Sequence, residues 1–556
     1  MAAASAVVMP MFFLGNASGH DFQFHLASWL DVAGQWREGI AFPRWAEWAN
    51  WGFGEPRFIF YPPGSWLLGA GLGTLLPWRM APGAFIWLAL ILASLSMWRL
   101  AREWLPNRQA LAAGVLFATN PYHLVIVYYR SDFAELLASS LFPLVVLGAL
   151  RVLRDGWCRA PGLALVFALI WLSNAPAGVI ATYSLVLIFA VGCGLHRGVR
   201  PLLGGGAAMA GGFGLAAFYI LPAAWEQRWV QISLALLENL RPSRNFLFSH
   251  SNDPDFVLFN WKVSAVALGT MLVTGIAVVF VARQRRNLSA PWWTLVALAS
   301  ASSLLMFHPS IFFWEHLPKL QFVQFPWRWL LPLDVAFAFF VAATLQSSRK
   351  LLLGCLVFLI ATGAIATVFV RDAWWDSEDI PVLADAIRSG HGYEGTDEYQ
   401  PLGCDRYQLP GQPPASADAS DAPSLSLSQS AETPEIAKID PDSGALSPVN
   451  GMELQINRWT ADAKSFTSKT SLSVELAPRL INYPAWEIQV DKRIVPGNSL
   501  PETAQLSLSV PAGEHSVDVL FRRTWDRTAG TGISIFSAFL LLGSAAYARR
   551  KPSQVK

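Results

Sequence analysis

Residues 351–370 read LLLGCLVFLIATGAIATVFV, twenty consecutive residues without a charged side chain. A helix of that length spans about 30 Å, which is the thickness of the hydrocarbon core of a bilayer. The stretch therefore predicts a membrane-spanning helix. A window of about 19 residues finds further apolar segments on both sides of it, at 82–98, 110–127, 136–150, 160–172, 177–194, 203–221, 263–281, 292–307, 330–345 and 530–546.

The N-terminal stretch 1–14 is apolar as well, but it is shorter than a full crossing and lacks the basic residues that begin a signal peptide. We interpret it as the end of a first span. The predicted fold is therefore a polytopic all-α membrane protein with about twelve transmembrane helices.

The composition supports a membrane protein and excludes other classes. Only 14% of the 556 residues are charged, against about 25% in an average soluble domain. The net charge of +2 excludes a strongly basic nucleic-acid binder, and the 53% hydrophobic content excludes a disordered chain. The four cysteines stand far apart in the sequence, which indicates neither a zinc site nor a disulfide framework.

Basic residues fall in alternate loops, and the positive-inside rule places these loops on the cytoplasmic side. They are Arg99, Arg102, Arg108, Arg151, Arg154, Arg159, Arg197, Arg200, Arg283, Arg285, Arg286, Arg349, Lys350, Arg549, Arg550 and Lys551. The alternation predicts a multi-pass membrane protein with both termini in the cytoplasm. It requires that 62–78, rich in Gly and Pro, is an interfacial helix on the outer face rather than a crossing.

The outer face then collects the segments 15–80, 130–135, 222–261 and 308–327, and a long polar region that begins at 371. Within that region, 371–409 is an outer-face segment and 410–435, rich in Pro, Ser, Ala and Asp, is a flexible linker. Alternating apolar and polar residues at 452–459, 471–476, 486–490, 505–510 and 516–521 predict a β-sandwich-like domain over 436–529. Turns between some of these segments are predicted at 450–451, 496–497 and 511–513. It precedes the last helix at 530–548 and a basic tail at 549–556. The domain shows no catalytic signature, and a lid or packing module is the simplest reading.

Two acidic motifs lie at the predicted outer ends of spans. Asp21 and His25 are four residues apart, so they share one face of a helix and are able to bind a divalent ion or to act as base and phosphate partner. The alternative is a plain helix start with Asp21 as N-cap. Asp132 and Glu135 suit a second carboxylate site, or the D-x-x-E spacing of a capping box.

Arg328, flanked by tryptophans, suits bidentate binding of a lipid-linked phosphate. The alternative is an interfacial anchor, because Trp and Arg are common at that depth. Asp334 lies within a span and is expected to face the bundle interior or a wet cavity, because a lone charge in lipid is costly.

The layout resembles the GT-C membrane glycosyltransferases: a short first span, an outer loop with Asp21-x-x-x-His25, a long loop containing 61–63, and an acidic cluster after the third span. More closely, the chain is similar to the bacterial integral-membrane family labelled 6-pyruvoyl-tetrahydropterin synthase-related, and to its YfhO-like relatives. The similarity rests on short stretches spread over nearly the whole chain: Asn120-Pro121-Tyr122, RSDFAE at 130–135, FPWR at 325–328, GTDEY at 395–399, YPAW at 483–486 and VPAGEH at 510–515.

The resemblance implies a GT-C-like transmembrane domain over 1–370 and transfer of a sugar from a polyprenyl-phosphate donor to an acceptor glycan, lipid or protein. It implies that Asp21, Asp132 and Glu135 are catalytic, with a divalent metal ion (Mg²⁺ or Mn²⁺) bound by Asp21 and His25. The substrate-binding residues implied are His20, His25, Arg130, Asn174, Arg328 and Asp334. Ser173 precedes Asn174 where the family pattern leads us to expect histidine.

Pterin chemistry is not expected, because the nine histidines are scattered rather than clustered for zinc. The expected partners are the bilayer, the lipid-linked donor and the acceptor, and no nucleic acid. A lipid phosphate leaves without a general acid, so one carboxylate base and cationic groups are expected to suffice. The single displacement that this implies inverts the anomeric centre. Two alternatives stay open: a lipid-linked glycan transporter or flippase, and a non-catalytic envelope protein.

Overall fold

The computed structural model describes residues 1–250, 254–284, 289–410, 435–439, 446–447 and 452–550. Its helices are α1 (Ala2–Leu14), α2 (Phe22–Arg37), α3 (Ala49–Gly52), α4 (Arg57–Phe60), α5 (Pro63–Leu75), α6 (Ala81–Ala101), α7 (Asn107–Ala118), α8 (Pro121–Leu124), α9 (Phe133–Asp155), α10 (Ala160–Ser173), α11 (Ala175–His196), α12 (Arg200–Leu215), α13 (Ala217–Glu226), α14 (Pro254–Gln284), α15 (Ala290–Leu305), α16 (Ile311–His316), α17 (Leu330–Thr344), α18 (Arg349–Phe369), α19 (Asp379–Arg388) and α20 (Trp525–Arg550). Every apolar segment found by the sequence window is helical, so the predicted helical membrane fold is confirmed.

Eight helical stretches of the described residues are long and apolar enough to cross a membrane, and ten if each of two bent pairs forms one span. The bends are 75° between α12 and α13 and 98° between α15 and the stretch that ends with α16. One of the eight stretches, 133–173, contains both α9 and α10. Gly148 of α9 faces Leu163 of α10, so these two helices pack side by side after a turn at Gly156. The count of twelve crossings, the positions of the termini and the sidedness stay predictions.

The segment 62–78 forms α5, which begins with a proline at its first turn and packs against α2. A Cβ atom on Gly69 of α5 would lie 2.0 Å from the ring of Trp29 in α2, so the absence of a side chain there allows close packing. The predicted helix is therefore present, and its depth relative to the membrane surface stays a prediction.

The described residues of the C-terminal region form ten strands: β1 (Ile436–Ile439), β2 (Leu446–Ser447), β3 (Glu453–Thr460), β4 (Ala463–Thr470), β5 (Val474–Pro478), β6 (Trp486–Val490), β7 (Arg493–Val495), β8 (Asn498–Ser499), β9 (Leu506–Val510) and β10 (Gly513–Phe521). They form two antiparallel five-stranded sheets, in the orders β2-β1-β5-β9-β8 and β3-β4-β10-β6-β7. Side chains of both sheets, such as Leu508 and Val519, contribute to one buried cluster. The two-sheet domain agrees with the predicted sandwich.

Most of the predicted linker, residues 411–434, and the end of the predicted tail, residues 551–556, lie outside the described residues. The turn predicted at 450–451 lies outside them too. The turn predicted at 511–513 is present, but it joins strands of different sheets, since β9 and β10 do not pair.

The β-domain is attached to the helical part through buried polar contacts. Lys464 of β4 binds Glu47, and Arg479 donates hydrogen bonds to the carbonyl of Trp51. Tyr483 donates to Glu226 at the end of α13. The domain is therefore packed on the segment that follows α2.

Candidate functional site

The loop between α8 and α9 begins with an irregular helix. Thr119 and Asn120 separate α7 from α8, and Val125–Arg130 then form a π-helix. Ser131 follows with a positive φ of 51°, which ends the helical path. π-Helical turns are rare and frequent at functional sites. Arg130 is the last residue of this π-helix.

Arg130 lies at the centre of an ionic cluster, which we define as Asp21, Arg130, Asp132, Glu135 and Arg328. Its Nη1 is 2.8 Å from Oε2 of Glu135, and its Nη2 is 2.9 Å from Oδ2 of Asp21 and 3.1 Å from Oδ2 of Asp132. One guanidinium therefore joins three carboxylates.

Arg328 enters the cluster from the start of α17. Its Nε is 2.8 Å from Oε2 of Glu135, and its Nη2 is 3.3 Å from Oδ2 of Asp132. Its Nη1 donates to the carbonyl of Val323 and to Gln324. All three nitrogens of Arg328 are thus bound to protein, so the predicted grip on a phosphate requires that some of these contacts exchange.

The sequence left open whether Asp132 and Glu135 form a carboxylate site or cap a helix, and the structure shows contacts of both kinds. Asp132 is the N-cap of α9, and its Oδ1 accepts a hydrogen bond of 2.9 Å from the backbone N–H of Glu135. The Glu135 carboxylate does not return to the N-cap; it binds the two arginines and accepts a hydrogen bond from Tyr122. The Asp132 half of a capping box is therefore present, whereas the Glu135 carboxylate binds within the cluster.

Asp21 reaches the cluster through backbone pairing between two distant segments. The backbone N–H groups of His20 and Asp21 donate to the carbonyls of Tyr129 and Arg130. A Cβ atom on Gly19 would lie 2.8 Å from the carbonyl carbons of Tyr129 and Arg130, closer than a side chain permits. Gly19 therefore allows the approach that brings Asp21 to Arg130.

Solvent reaches one end of the cluster, and its other members are buried. The side chains of Glu135, Asp132, Arg328 and Arg130 are 0%, 5%, 6% and 7% exposed. Asp21 is 26% exposed, and the side chain of His20, which binds it at 3.0 Å, is 82% exposed. Asp21 is therefore the member of the cluster that is most accessible from solvent.

The electrostatics keep the two aspartates ionised. Burial is the largest single influence and acts against ionisation, but Arg130 and the other cationic and hydrogen-bonding neighbours together outweigh it and lower the pKa of both Asp21 and Asp132 below the usual value. The hydrogen bond to Asp21 raises the pKa of His20. At neutral pH the open end of the site is therefore an ionised carboxylate with an imidazole beside it.

His25 is buried beside Asp132 rather than beside the Asp21 carboxylate. Its ring is surrounded by Phe24, Trp29, Tyr61 and Phe133, with centroid distances of 5.3–6.3 Å. Its Nε2 is 3.7 Å from Oδ1 of Asp132 and has no hydrogen-bond partner among the described residues.

The arrangement does not fit a divalent ion at Asp21 and His25. The oxygens of Asp21 are bound by Arg130 and His20, while His25 is directed at Asp132. No group of three or more His, Cys, Asp or Glu that could hold a metal occurs within the described ranges. A cation would have to displace a guanidinium, so we derive no step through a metal.

Two of the predicted substrate-binding residues lie apart from these contacts. Asn174 is the N-cap of α11, and its Oδ1 accepts a hydrogen bond of 2.9 Å from the N–H of Ala177. Asp334 is 2% exposed within α17, and its Oδ1 has no hydrogen-bond partner in the described part of the chain.

Three contributors are absent from the sequence prediction. Tyr122 binds Glu135, Gly19 permits the backbone pairing, and the ring of Phe325 lies 5.3 Å from the Arg130 guanidinium and 5.0 Å from that of Arg328. Cation–π contacts of this kind hold guanidinium groups in place. The sequence signals for them were indirect: Tyr122 and Phe325 belong to the stretches 120–122 and 325–328 that carry the family resemblance, and Gly19 directly precedes His20 and Asp21.

Comparisons with known proteins were made by sequence and by structure. No family model matches the chain, and no curated protein matches it. The resemblance to the 6-pyruvoyl-tetrahydropterin synthase-related family therefore stays a prediction.

Several solved structures are similar at low identity. The oligosaccharyltransferase of Archaeoglobus fulgidus in its apo form is 13% identical with a TM-score of 0.39, over 68% of this chain and 56% of that one. Oligosaccharyltransferase AglB from the same organism, in complex with an inhibitory peptide and a dolichol-phosphate, is 13% identical with a TM-score of 0.40, over 72% and 60%. ArnT from Cupriavidus metallidurans, bound to undecaprenyl phosphate, is 12% identical with a TM-score of 0.41, over 70% and 74%. The chain thus spans little more than half the length of the archaeal structures.

Proposed function

We propose that this protein is a membrane glycosyltransferase that moves a sugar from a polyprenyl-phosphate donor to an acceptor on the outer face of the membrane. The observation that carries the proposal is the contact between Asp21 and Arg130 at the exposed edge of a buried cluster with two arginines. A partly exposed carboxylate suits an acceptor hydroxyl, and guanidinium groups suit a phosphate.

The reaction balances with these groups alone. The acceptor oxygen attacks the anomeric carbon, the bond from that carbon to the phosphate oxygen breaks, and its electron pair leaves with the polyprenyl phosphate. The acceptor proton goes to Asp21. A single displacement of this kind inverts the anomeric centre.

Arg130 links the two halves of the reaction. When the charge of the leaving phosphate draws Arg130 away from Asp21, the carboxylate loses the cation that lowers its pKa and becomes a stronger base. His20 is exposed and bound to Asp21, so it is positioned to pass the proton to solvent.

The test compares Asp21→Asn with Asp372→Asn, an exposed aspartate after α18 and near Tyr129. Each purified protein is reconstituted with a panel of undecaprenyl-phosphate-linked hexoses and an envelope extract as acceptor. The release of undecaprenyl phosphate and the labelling of the acceptor are measured. We expect Asp21→Asn to lower turnover by at least about 100-fold, the scale of general-base catalysis, and Asp372→Asn to leave it unchanged.

Turnover by Asp21→Asn within about threefold of the parent protein would contradict the assignment of the base, since general-base removal costs far more. Donor binding without any sugar release by the parent protein would favour the transport alternative instead. The thermal stability of each variant is measured alongside, because a loss of fold would lower turnover for an unrelated reason.

A further inference from the structure

The turn at 394–399 is held firmly against the segment between α2 and α5. The backbone N–H of Thr396 donates a hydrogen bond of 2.9 Å to Oε2 of Glu55, and Nη2 of Arg57 donates one of 3.1 Å to the Thr396 hydroxyl. A Cβ atom on Gly395 would lie 2.6 Å from the same Glu55 oxygen, so the lack of a side chain there allows the approach. Glu55 and Arg57 are buried, and the turn is therefore fixed in position.

Glu398 in this turn is a half-buried carboxyl group without a cation. The other two acids of the turn are compensated, because Arg406 binds Glu394 at 2.8 Å and Asp397 at 3.0 Å. Apart from its own backbone N–H, Glu398 has no hydrogen-bond or ion-pair partner in the described part of the chain. Burial raises its pKa to about 7, and the charges of Glu55 and Asp397 act in the same direction. Its carboxyl group is thus available to hydrogen-bond a ligand.

Two phenol groups lie between Glu398 and the ionic cluster. Tyr61 is half-buried and Tyr399 is 9% exposed, and neither hydroxyl bonds to another described residue, although both oxygens keep some accessible surface. Burial raises the pKa of both phenols, so both stay hydrogen-bond donors at neutral pH. The charges of Asp132 and Asp21 also act on Tyr61. That of Glu398 acts on Tyr399, which is itself a neighbour of Tyr61.

Tyr61, Tyr399 and Glu398 therefore form a polar row that leads away from the cluster, and aromatic rings support it. Phe24 follows Asp21 by one turn in α2, and its ring centroid is 4.7 Å from that of Tyr61. The ring of Tyr399 stacks on that of another aromatic residue of α4, at 5.8 Å. A few placed polar groups among aromatic rings suit a sugar, which combines hydroxyl groups with apolar C–H faces.

The charge of the polar row indicates which sugar-bearing substrate it fits. The phosphate of the donor is expected at the guanidinium groups of Arg130 and Arg328. Glu398 lies beside the carboxylates of Glu55 and Asp397, and such surroundings repel a phosphate. The row therefore suits the uncharged sugar of the acceptor.

We propose that the polar row binds the terminal sugar of a saccharide acceptor and holds its reacting hydroxyl group beside Asp21. The phenols of Tyr61 and Tyr399 donate hydrogen bonds to oxygens of this sugar, and the carboxyl group of Glu398 accepts hydrogen bonds from its hydroxyl groups. The proposal rests on the proposed glycosyltransferase function and adds the chemical class of the acceptor.

The test measures saccharide binding and sugar transfer separately, with the full-length protein at pH 8, where the Glu398 carboxyl group is mostly ionised. Binding is measured without donor on an array of hexose, hexosamine and deoxyhexose oligosaccharides. The variants are Glu398→Gln and Tyr399→Phe, which each remove one polar group and keep the shape of the side chain. The matched controls are Glu394→Gln in the same turn and Tyr407→Phe, both at exposed positions. Thermal unfolding of each variant shows whether the fold is retained.

We expect the apparent dissociation constant of the bound saccharides to rise at least about tenfold in Glu398→Gln and about threefold in Tyr399→Phe, the scales of hydrogen bonds to charged and to neutral groups. Both controls should bind as the parent protein does. In the transfer assay, the KM for the acceptor should rise in parallel, while the KM for the donor stays unchanged. Equal binding by the parent protein and Glu398→Gln, or binding of no saccharide by the parent protein, would overturn the proposal.

The two assays separate this proposal from the proposed function. Saccharide binding that is lost in Glu398→Gln, without transfer from any donor by the parent protein, would support the polar row and contradict the transferase. Transfer by the parent protein with an unchanged acceptor KM in Glu398→Gln would support the transferase and overturn the row. A rise in the KM for the donor alone would assign the row to the donor sugar and overturn its assignment to the acceptor.

Discussion

Gly19 is the residue through which the first loop approaches the ionic cluster. Its own backbone N–H binds the hydroxyl of Ser131, and the next two N–H groups bind the chain at 129 and 130. A side chain at this position has no room, because two of the three nearest atoms are backbone carbonyl carbons that cannot rotate away. The site therefore depends on a residue that takes no part in chemistry.

The substitution Gly19→Ala is expected to separate Asp21 from Arg130 and to lower turnover to the level of Asp21→Asn. It should also lower stability by about 1–3 kcal/mol, as overpacking does. Gly34→Ala in α2 is the control, because a Cβ atom there has no neighbour within 4 Å. That change is expected to be neutral or to stabilise by up to about 1 kcal/mol, as alanine does in a helix. Activity assays and thermal unfolding distinguish the two, and equal behaviour would contradict the role of Gly19.

Asp31 of α2 is a buried carboxyl group whose titration is expected to affect the stability of the protein. It is buried and accepts hydrogen bonds from Gln35, Tyr393 and the backbone N–H of Trp48. Burial is the largest influence and raises its pKa to about 7, although these hydrogen bonds act in the opposite direction. The folded protein therefore holds this proton more tightly than the unfolded chain.

The free energy of unfolding should consequently fall as the pH rises from about 4 to about 7, by at most about 4 kcal/mol from this group, and level off above that. Asp31→Asn should reduce this slope, while the exposed Asp372→Asn should keep it. Thermal unfolding between pH 4.5 and 8 measures the difference. An unchanged slope in Asp31→Asn would show that another group is responsible.

At the residue scale, the sequence identified the ionisable members of the site but not how they pair. Asp21, Asp132, Glu135 and Arg328 stand at predicted span ends on one face, and the fold brings all four together. His25 contacts Asp132, and Arg328 is already bound by carboxylates. These contacts depend on the directions of side chains, which residue spacing does not determine. The metal pair Asp21 and His25 is the prediction that this geometry does not support.

At the scale of single elements, two asparagines each cap the N-terminus of a helix, at different places in the fold. Asn120 accepts a hydrogen bond of 2.8 Å from the N–H of His123 at the start of α8, and Asn174 accepts one of 2.9 Å at the start of α11. Both are N-caps. The first begins the irregular helix that ends at Arg130, whereas the second begins a helix that contributes no residue to the cluster.

Replacing either asparagine by alanine should cost about 0.5–2 kcal/mol of stability, the usual value of an N-cap. Only Asn120→Ala is expected to lower turnover, because it loosens the helix that positions Arg130. Asn174→Ala should leave turnover within about twofold, since a capping side chain away from the substrate affects stability alone. A large loss of activity in Asn174→Ala with a normal melting temperature would restore its predicted role in substrate binding.

Hydropathy predicted the helices well because long apolar runs have few other stable structures in a bilayer. It could not predict the π-helix at 125–130 or the bends after α12 and α15, because these depend on backbone geometry rather than on polarity. It also missed β4, whose sequence AKSFTSKT is mostly polar. Lys464 in that strand is buried by its contact with Glu47, a partner from another part of the chain.

At the scale of the whole molecule, that contact is one of those that fix the β-domain to the helical part. Glu47 and Lys464 are 5% and 2% exposed, so each charge depends on the other for compensation. The pair Glu453 and Lys469 offers a matched contrast, since it lies on the surface with 80% and 58% exposure.

Glu47→Gln should lower stability by about 3–5 kcal/mol, because it leaves Lys464 buried without a counterion. Glu453→Gln should change it by no more than about 1 kcal/mol, as expected for a surface pair. Thermal unfolding of the two variants gives the comparison. Similar small effects would mean that the buried pair contributes little to the attachment of the β-domain.

The order in which the cluster residues are synthesised bears on how this chain enters a membrane. Arg130, Asp132 and Glu135 are neighbours in sequence and bind one another, whereas Arg328 is added to the nascent chain almost 200 residues later. Since Asp21 is synthesised earlier still, the early part of the chain holds Arg130 with three carboxylates, two of them in excess. Arg328, which directly precedes α17, reduces this excess to one, so completion of the cluster depends on the late helices having assembled.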